Sequence, residues 1–199
     1  MDNARFHRRD DPGRSGRSQP RILHGRRPTL EARPDPFGDP AYTQRQRDYA
    51  TAYRSSRIYT PQMIVNGRDE FVGSRQRQAE QTVARGRGKI QSLNVTLTWD
   101  GDDVVAKTTL PEGGTLRAVV VEDGLSTTIE RGENAGRTLS HAAVARAMVS
   151  ADEVAAGEHE LRVSVPSDVD VTQARVVLFV EAKGLGKVHA AGQSAMPPR

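Results

Sequence analysis

The sequence contains no cysteine. Residues of this chain therefore form no disulfide, no thiolate metal site, no Cys nucleophile and no dithiol exchange couple. Lysine is scarce as well. Only Lys89, Lys107, Lys183 and Lys187 stand beside 25 arginines. Aromatic residues make up 5% of the 199, with one Trp, which leaves few platforms for stacking a base. No apolar run approaches the ~18 residues that span a bilayer. Nor does the first segment hold the apolar core of a secretory signal, about 7–15 residues long. As written, the chain reads as cytoplasmic. Hydrophobic residues reach 36% and charged residues 27%, enough to bury a core in one large domain or two small ones.

The net charge of +4 invites a nucleic-acid reading, but its distribution weakens it. Residues 1–34 carry nine Arg against Asp2, Asp10, Asp11 and Glu31, a local +5, and the remainder nets −1. Such an arm grips phosphates without sequence preference. Phe6 is its only aromatic.

Three segments follow one another. Residues 1–34 are rich in Arg, Pro, Gly, Ser and Asp, lack both the helical and the strand period, and are expected to be disordered. Residues 35–90 are organised. Asp39-Pro40 fits an N-cap and first helical position, and Tyr42, Tyr49, Ala50 and Tyr53 then share one helical face up to about Arg54. Thr60-Pro61 leads into a strand over Gln62–Val65, Asn66-Gly67 predicts a tight hairpin, and Glu70–Val72 returns. Ser74 is expected to cap a helix over 75–85 with Ala79 and Val83 inward, stopped by Gly86 and Gly88. Residues 91–199 read as all-β, with strands near 93–99, 104–110, 116–122, 125–131, 159–165, 173–182 and 186–195 separated by turn clusters, the pattern of a sandwich. Ser140–Val149 suits helix by its alanines and strand by its alternation; strand is preferred.

The middle segment resembles the second half of a thioredoxin fold: Thr60-Pro61, apolar strand, Asn66-Gly67, second strand, Gly73, helix. In that fold the proline is cis; an ordinary trans proline opening a hairpin is the alternative. Longer motifs extend the likeness. Asp35-Pro36-Phe37, Tyr59-Thr60-Pro61-Gln62-Met63 and Arg131-Gly132-Glu133-Asn134-Ala135-Gly136-Arg137-Thr138-Leu139 resemble the bacterial family called domain of unknown function 1223, over about residues 35–196. The resemblance implies exported, thioredoxin-like proteins with a C-terminal β-sandwich. It also implies a signal sequence, a first strand and a cysteine pair before Asp35. Residues 1–34 stand in their place, as an out-of-frame stretch or as the start of a degenerate member. Without those strands, Met63, Ile64 and Val65 are expected to border an open sheet edge.

The expected architecture is thus α+β: a partial thioredoxin-like α/β segment over 35–90, then an antiparallel β-sandwich over 91–199. Thr60 and Pro61 are candidate peptide contacts, the alternative being a turn that only orients the strand. Arg131, Glu133, Asn134, Arg137 and His141 form the most distinctive loop, either a structural corner or an anion or carboxylate site. His141 beside Glu133 is either an acid–base or ligand pair or a hydrogen-bonded loop histidine. The five histidines (His7, His24, His141, His159, His189) make no i, i+4 metal pair. Asp100-Gly101-Asp102-Asp103 lacks the length and final Glu of a calcium loop and reads as a turn. Gly184–Lys187 is too short for a phosphate loop, and no Gly-x-Ser-x-Gly elbow occurs. No cofactor or metal is implied, and the reading leans away from an enzyme. Three functions stay open: a fragment of a thiol-disulfide oxidoreductase-like protein, a peptide- or protein-binding module at the open edge, and non-specific nucleic-acid binding through the Arg-rich tail.

Overall fold

A computed structural model of the chain describes residues 38, 40–55, 58–130, 135–183 and 185–199. The expected disorder of 1–34 and the Asp39 cap lie outside the described residues. Pro40 opens α1 (Pro40–Ala52), where its missing N–H costs nothing. Tyr49 and Ala50 are its buried residues. A hairpin follows, β1 (Gln62–Val65) and β2 (Asp69–Val72). Asn66 and Gly67 both take positive φ, 52° and 61°, as their sequence predicts. The Arg68 N–H closes the turn on the Val65 carbonyl at 3.0 Å. Pairing resumes one residue later, with Val65 opposite Asp69.

In α2 (Gln76–Gly86) two expectations fail. Arg75, not Ser74, holds the N-cap position, and no side chain caps it. Val83 is 41% exposed, while Thr82 is buried. Gly86 makes the close approach to the hairpin. A Cβ at Gly86 would lie 3.2 Å from Val65 Cγ1 and 2.9 Å from Asn66 Nδ2.

The rest is β-structure: β3 (Gln91–Ser92), β4 (Thr96–Asp100), β5 (Asp103–Leu110), β6 (Gly114–Glu122), β7 (Leu125–Thr128), β8 (Thr138–His141), β9 (Val144–Val154), β10 (Gly157–Ser164), β11 (Ala174–Glu181) and β12 (Val188–Ala195). A five-stranded sheet runs β3-β12-β11-β6-β9, a three-stranded sheet runs β10-β5-β4, and β7 and β8 form a separate hairpin. Ser140–Val149 is strand, as preferred, but broken at Ala143 with φ 55°. The sandwich is not purely antiparallel. The strand expected over 93–99 starts only at Thr96, and Gln91–Ser92 instead pairs in parallel with β12. Leu93 N–H then bonds the Ala191 carbonyl at 2.8 Å. Gly192 permits this approach, since a Cβ there would stand 2.1 Å from the Leu93 carbonyl oxygen.

Alternate residues of the two sheets meet in one core. Val104, Ala106, Leu110 and Val163 face Leu116, Ala118, Val120, Val176, Leu178 and Val180, and Ala190 joins them. β6 is largely buried on its second face too, and that face of β11 is half-buried apart from buried Glu181. Val119 and Val121, which point away from that core by alternation, are 8% and 7% exposed. Arg117 and Phe179 sit opposite each other on the same outer face.

α1 packs there through Glu181, whose side chain is 0% exposed. Arg45 reaches both carboxylate oxygens, at 2.6 and 3.2 Å. Arg117 Nε donates at 2.6 Å and the Tyr49 hydroxyl at 2.7 Å. The Arg45 guanidinium also lies over the Tyr49 and Phe179 rings, 4.9 and 5.6 Å from their centres. Burial alone would raise the Glu181 carboxyl, but hydrogen bonds from Arg45, Arg117 and Tyr49 hold it below its ordinary value. Burial, followed by the bond to Glu181, pushes the Tyr49 phenol well up.

Glu181→Gln leaves two largely buried guanidinium groups short of a counter-charge and is expected to cost about 3–5 kcal/mol in denaturant unfolding. The folded carboxyl is depressed, so its contribution is complete above the ordinary value of 4.5 and fades as pH falls below it. The wild-type margin over Glu181→Gln should therefore be flat at neutral pH and shrink below 4.5; a margin unchanged into acid would show that the carboxylate carries no such linkage. Gly192→Ala should cost about 1–3 kcal/mol by forcing β12 from Leu93, with faster hydrogen exchange at the Leu93 amide.

Candidate functional site

The hairpin β1–β2 lies between the two helices. Strand alternation puts Gln62, Ile64 and Glu70 on one face and Met63, Val65 and buried Phe71 on the other. α1 reaches the first face: Gln46 Nε2 donates to the Tyr59 carbonyl at 3.3 Å and to Gln62 Oε1 at 3.4 Å. Gln62 in turn donates to Glu70 at 3.0 Å, and the Tyr59 hydroxyl bonds the same carboxylate. That bond, more than burial, raises the Tyr59 phenol. Burial first, then the charges of Glu70 and Asp69, raises the Tyr53 phenol. α2 approaches the second face through Gly86, whose carbonyl accepts from Asn66 Nδ2 at 3.1 Å. The hairpin is tied to the sandwich at its tip. Val188 N–H donates to the Asn66 carbonyl at 3.0 Å, and a Cβ on Gly67 would be 2.2 Å from the Gly186 carbonyl oxygen.

Thr60 and Pro61 are both exposed, immediately before β1, and the peptide bond between them is cis. The Pro61 carbonyl accepts from Gly73 N–H at 2.8 Å, joining the two ends of the hairpin. Among the described residues β1 has β2 as its only strand neighbour. Met63, Ile64 and Val65 are half-buried and line a groove of about 510 Å³ with Val83, Arg87 and Ile90. A second groove, about 460 Å³, continues along α2 and shares Val83 and Arg87 with the first.

The other candidate residues lie elsewhere. Arg131, Glu133 and Asn134 fall outside the described residues. Arg137 and His141 belong to the β7–β8 hairpin. The Arg137 carbonyl accepts from Ile129 N–H at 2.8 Å, and a His141 ring nitrogen lies 3.0 Å from Thr127 Oγ1. The structure does not bring these two to the Thr60–Pro61 turn by any bond it records. Asp100–Asp103 is a turn, with Gly101 at φ 63° and Arg162 paired to Asp100 and Asp103. His159 bonds the Ala155 carbonyl at 2.8 Å. The Arg-rich tail, and with it the nucleic-acid reading, lies outside the described residues.

Sequence reasoning missed two features. The first is the Glu181 cluster. Its signal was the unbroken apolar run in Ala118–Val121 and in Val176–Val180, which marks strands with apolar residues on both faces. The second is a local charge excess. Residues 75–90 hold Arg75, Arg77, Arg85, Arg87 and Lys89 against Glu80 alone, a net +4 that the balance of the longer segment concealed.

Comparison with solved structures finds the same fold in the crystal structure of protein AGR_C_4864 from Agrobacterium tumefaciens, with a TM-score of 0.57 at 17% identity over 83% of this chain and 74% of that one. Comparison with curated proteins gives no match. A family model described as protein of unknown function (DUF1223) matches residues 34–181. That span covers well over half of the sequence and includes the hairpin, both helices and most of the sandwich, and the chain accordingly belongs to the DUF1223 family.

Proposed function

We propose that residues 40–90 are the second half of a thioredoxin-like unit, and that this chain uses them to bind an extended peptide along β1. The order helix, hairpin, helix, with the helices on opposite faces and Thr60–Pro61 entering the first strand, supports the first part. The observation that carries the second is β1 itself. Its backbone has one strand neighbour among the described residues, and Met63 and Val65 open into a groove beside α2. An added strand would gain main-chain hydrogen bonds from the free edge and place alternate side chains in that groove. Thr60 and Pro61, exposed at the head of the strand, would set where the peptide begins. Thiol exchange is no part of the reading, because no residue of the chain is a cysteine. Peptide binding without chemistry is what a holding surface does when the reactive pair is missing.

The test is an NMR titration of the full chain with a neutral heptapeptide of Val-Ile-Val centre and Ser/Gly flanks. Amide shifts confined to Gln62–Val65 and the turn before them are expected. Val65→Lys should weaken binding about tenfold or more, since a charge would be desolvated on the groove wall. If that variant unfolds, the wild-type shifts decide alone. Saturating peptide with no change at β1 sinks the proposal.

A further inference from the structure

We infer that the segment accepted by this groove is acidic: an apolar core flanked by carboxylates, read by the cations of α2 and the turn after it. The inference rests on the peptide-binding reading of β1 and names its partner's chemistry. Three observations converge. The groove floor is apolar, with Met63, Val65 and Ile90 on it and Val83 standing 41% exposed at its rim. Arg87 lines both halves of it and is exposed. Around Arg87 the chain from Arg75 to Ile90 nets +4, although residues 35–199 as a whole net −1. The one acid of this stretch, Glu80, accepts from Gln76 at 2.9 Å, and Arg85 donates to Thr82 at 3.1 Å. Arg87 is the cation that lines the trough, Glu80 lines the part of it along α2, and Arg77 and Lys89 are further exposed cations of the same stretch.

Complementarity selects the occupant. A second copy docked here would set one cationic 75–90 stretch against another, and like charges across an interface are repelled. A nucleic acid would satisfy the cations but not the trough, since residues 75–90 contain no aromatic on which a base could stack. An extended peptide fills both requirements. Its apolar side chains enter the groove while its carboxylates meet the arginines at the solvent boundary, where exposed pairs steer association and choose partners more than they add affinity.

The experiment compares three fluorescent heptapeptides with one Val-Ile-Val centre and flanks of Glu, Ser or Lys, by anisotropy on the full chain. At low salt the Glu-flanked peptide should bind about fivefold tighter than the Ser-flanked one, and the Lys-flanked peptide weaker than both. The spread should narrow as salt rises past ~0.15 M. Arg87→Glu with Lys89→Glu, both solvent-exposed positions, should reverse the order of the Glu- and Lys-flanked peptides. Equal binding of Glu- and Ser-flanked peptides overturns the acidic selectivity while the peptide site stands. No binding of any of the three overturns both. Binding of a single-stranded oligonucleotide, or of vesicles with an anionic lipid, as tight as that of the Glu-flanked peptide shows an unselective anion surface and also overturns the inference.

Discussion

A single carboxylate with no access to water fixes the layout of this molecule. Glu181 ends β11 on the outer face of the five-stranded sheet. A bare carboxylate there would be too costly to remain ionised. It stays ionised because three donors from two directions converge on it, Arg117 from the neighbouring strand and Arg45 and Tyr49 from α1. Such a cluster adds little net stability compared with a hydrophobic plug of the same volume. What it adds is position. Arg45 cannot keep both oxygens unless α1 lies in one place and at one rotation about its axis, and the stacked pair Tyr49–Tyr53 follows from that rotation.

From α1 the constraint passes along the chain. Gln46, one residue after Arg45, holds the Tyr59 carbonyl and Gln62, so the position of the helix sets the entry to β1. The far end of the hairpin is pinned separately, by Val188 on Asn66 and by the close approach of Gly67 to Gly186. Both ends of a two-stranded hairpin are thus attached to the sandwich. Two strands alone are marginal in water. The groove beside β1 is in this sense rigidly framed, which lowers the ordering cost of any strand that pairs there.

How far the sequence disclosed this depends on whether a pattern was local. Asn66-Gly67 specified its turn because both residues had to accept positive φ, and Leu97 with Trp99 marked a half-buried strand by plain alternation. The family was legible from long, unusual motifs around Tyr59–Met63 and Ile129–His141. Long-range pairings left weaker traces. The parallel contact of Gln91–Ser92 with β12 spans almost a hundred residues and has no periodic signature in a two-residue strand. Glu181 looked like the polar end of an apolar strand, and nothing near it in sequence announces Arg45. Val83 is the only large apolar residue of α2, yet tertiary packing buries Thr82 and leaves Val83 41% exposed. Of the candidate site, Thr60, Pro61 and the open edge were readable from the strand order. The cationic stretch 75–90 was hidden by the charge of residues 35–199 as a whole, which nets −1.

That stretch also bears on how an open edge survives in solution. A short apolar strand with one neighbour is a template for pairing with its own copies. β1 limits this in three ways visible here: it has four residues, a proline stands directly before it, and Arg87 lines its groove. Charge beside a sheet edge is a common device against self-association. A cationic border repels a second cationic border and leaves a segment of opposite charge free to approach. Charge that would disfavour pairing of β1 with its own copies is then the same charge that, in the proposed reading, would distinguish one peptide from another.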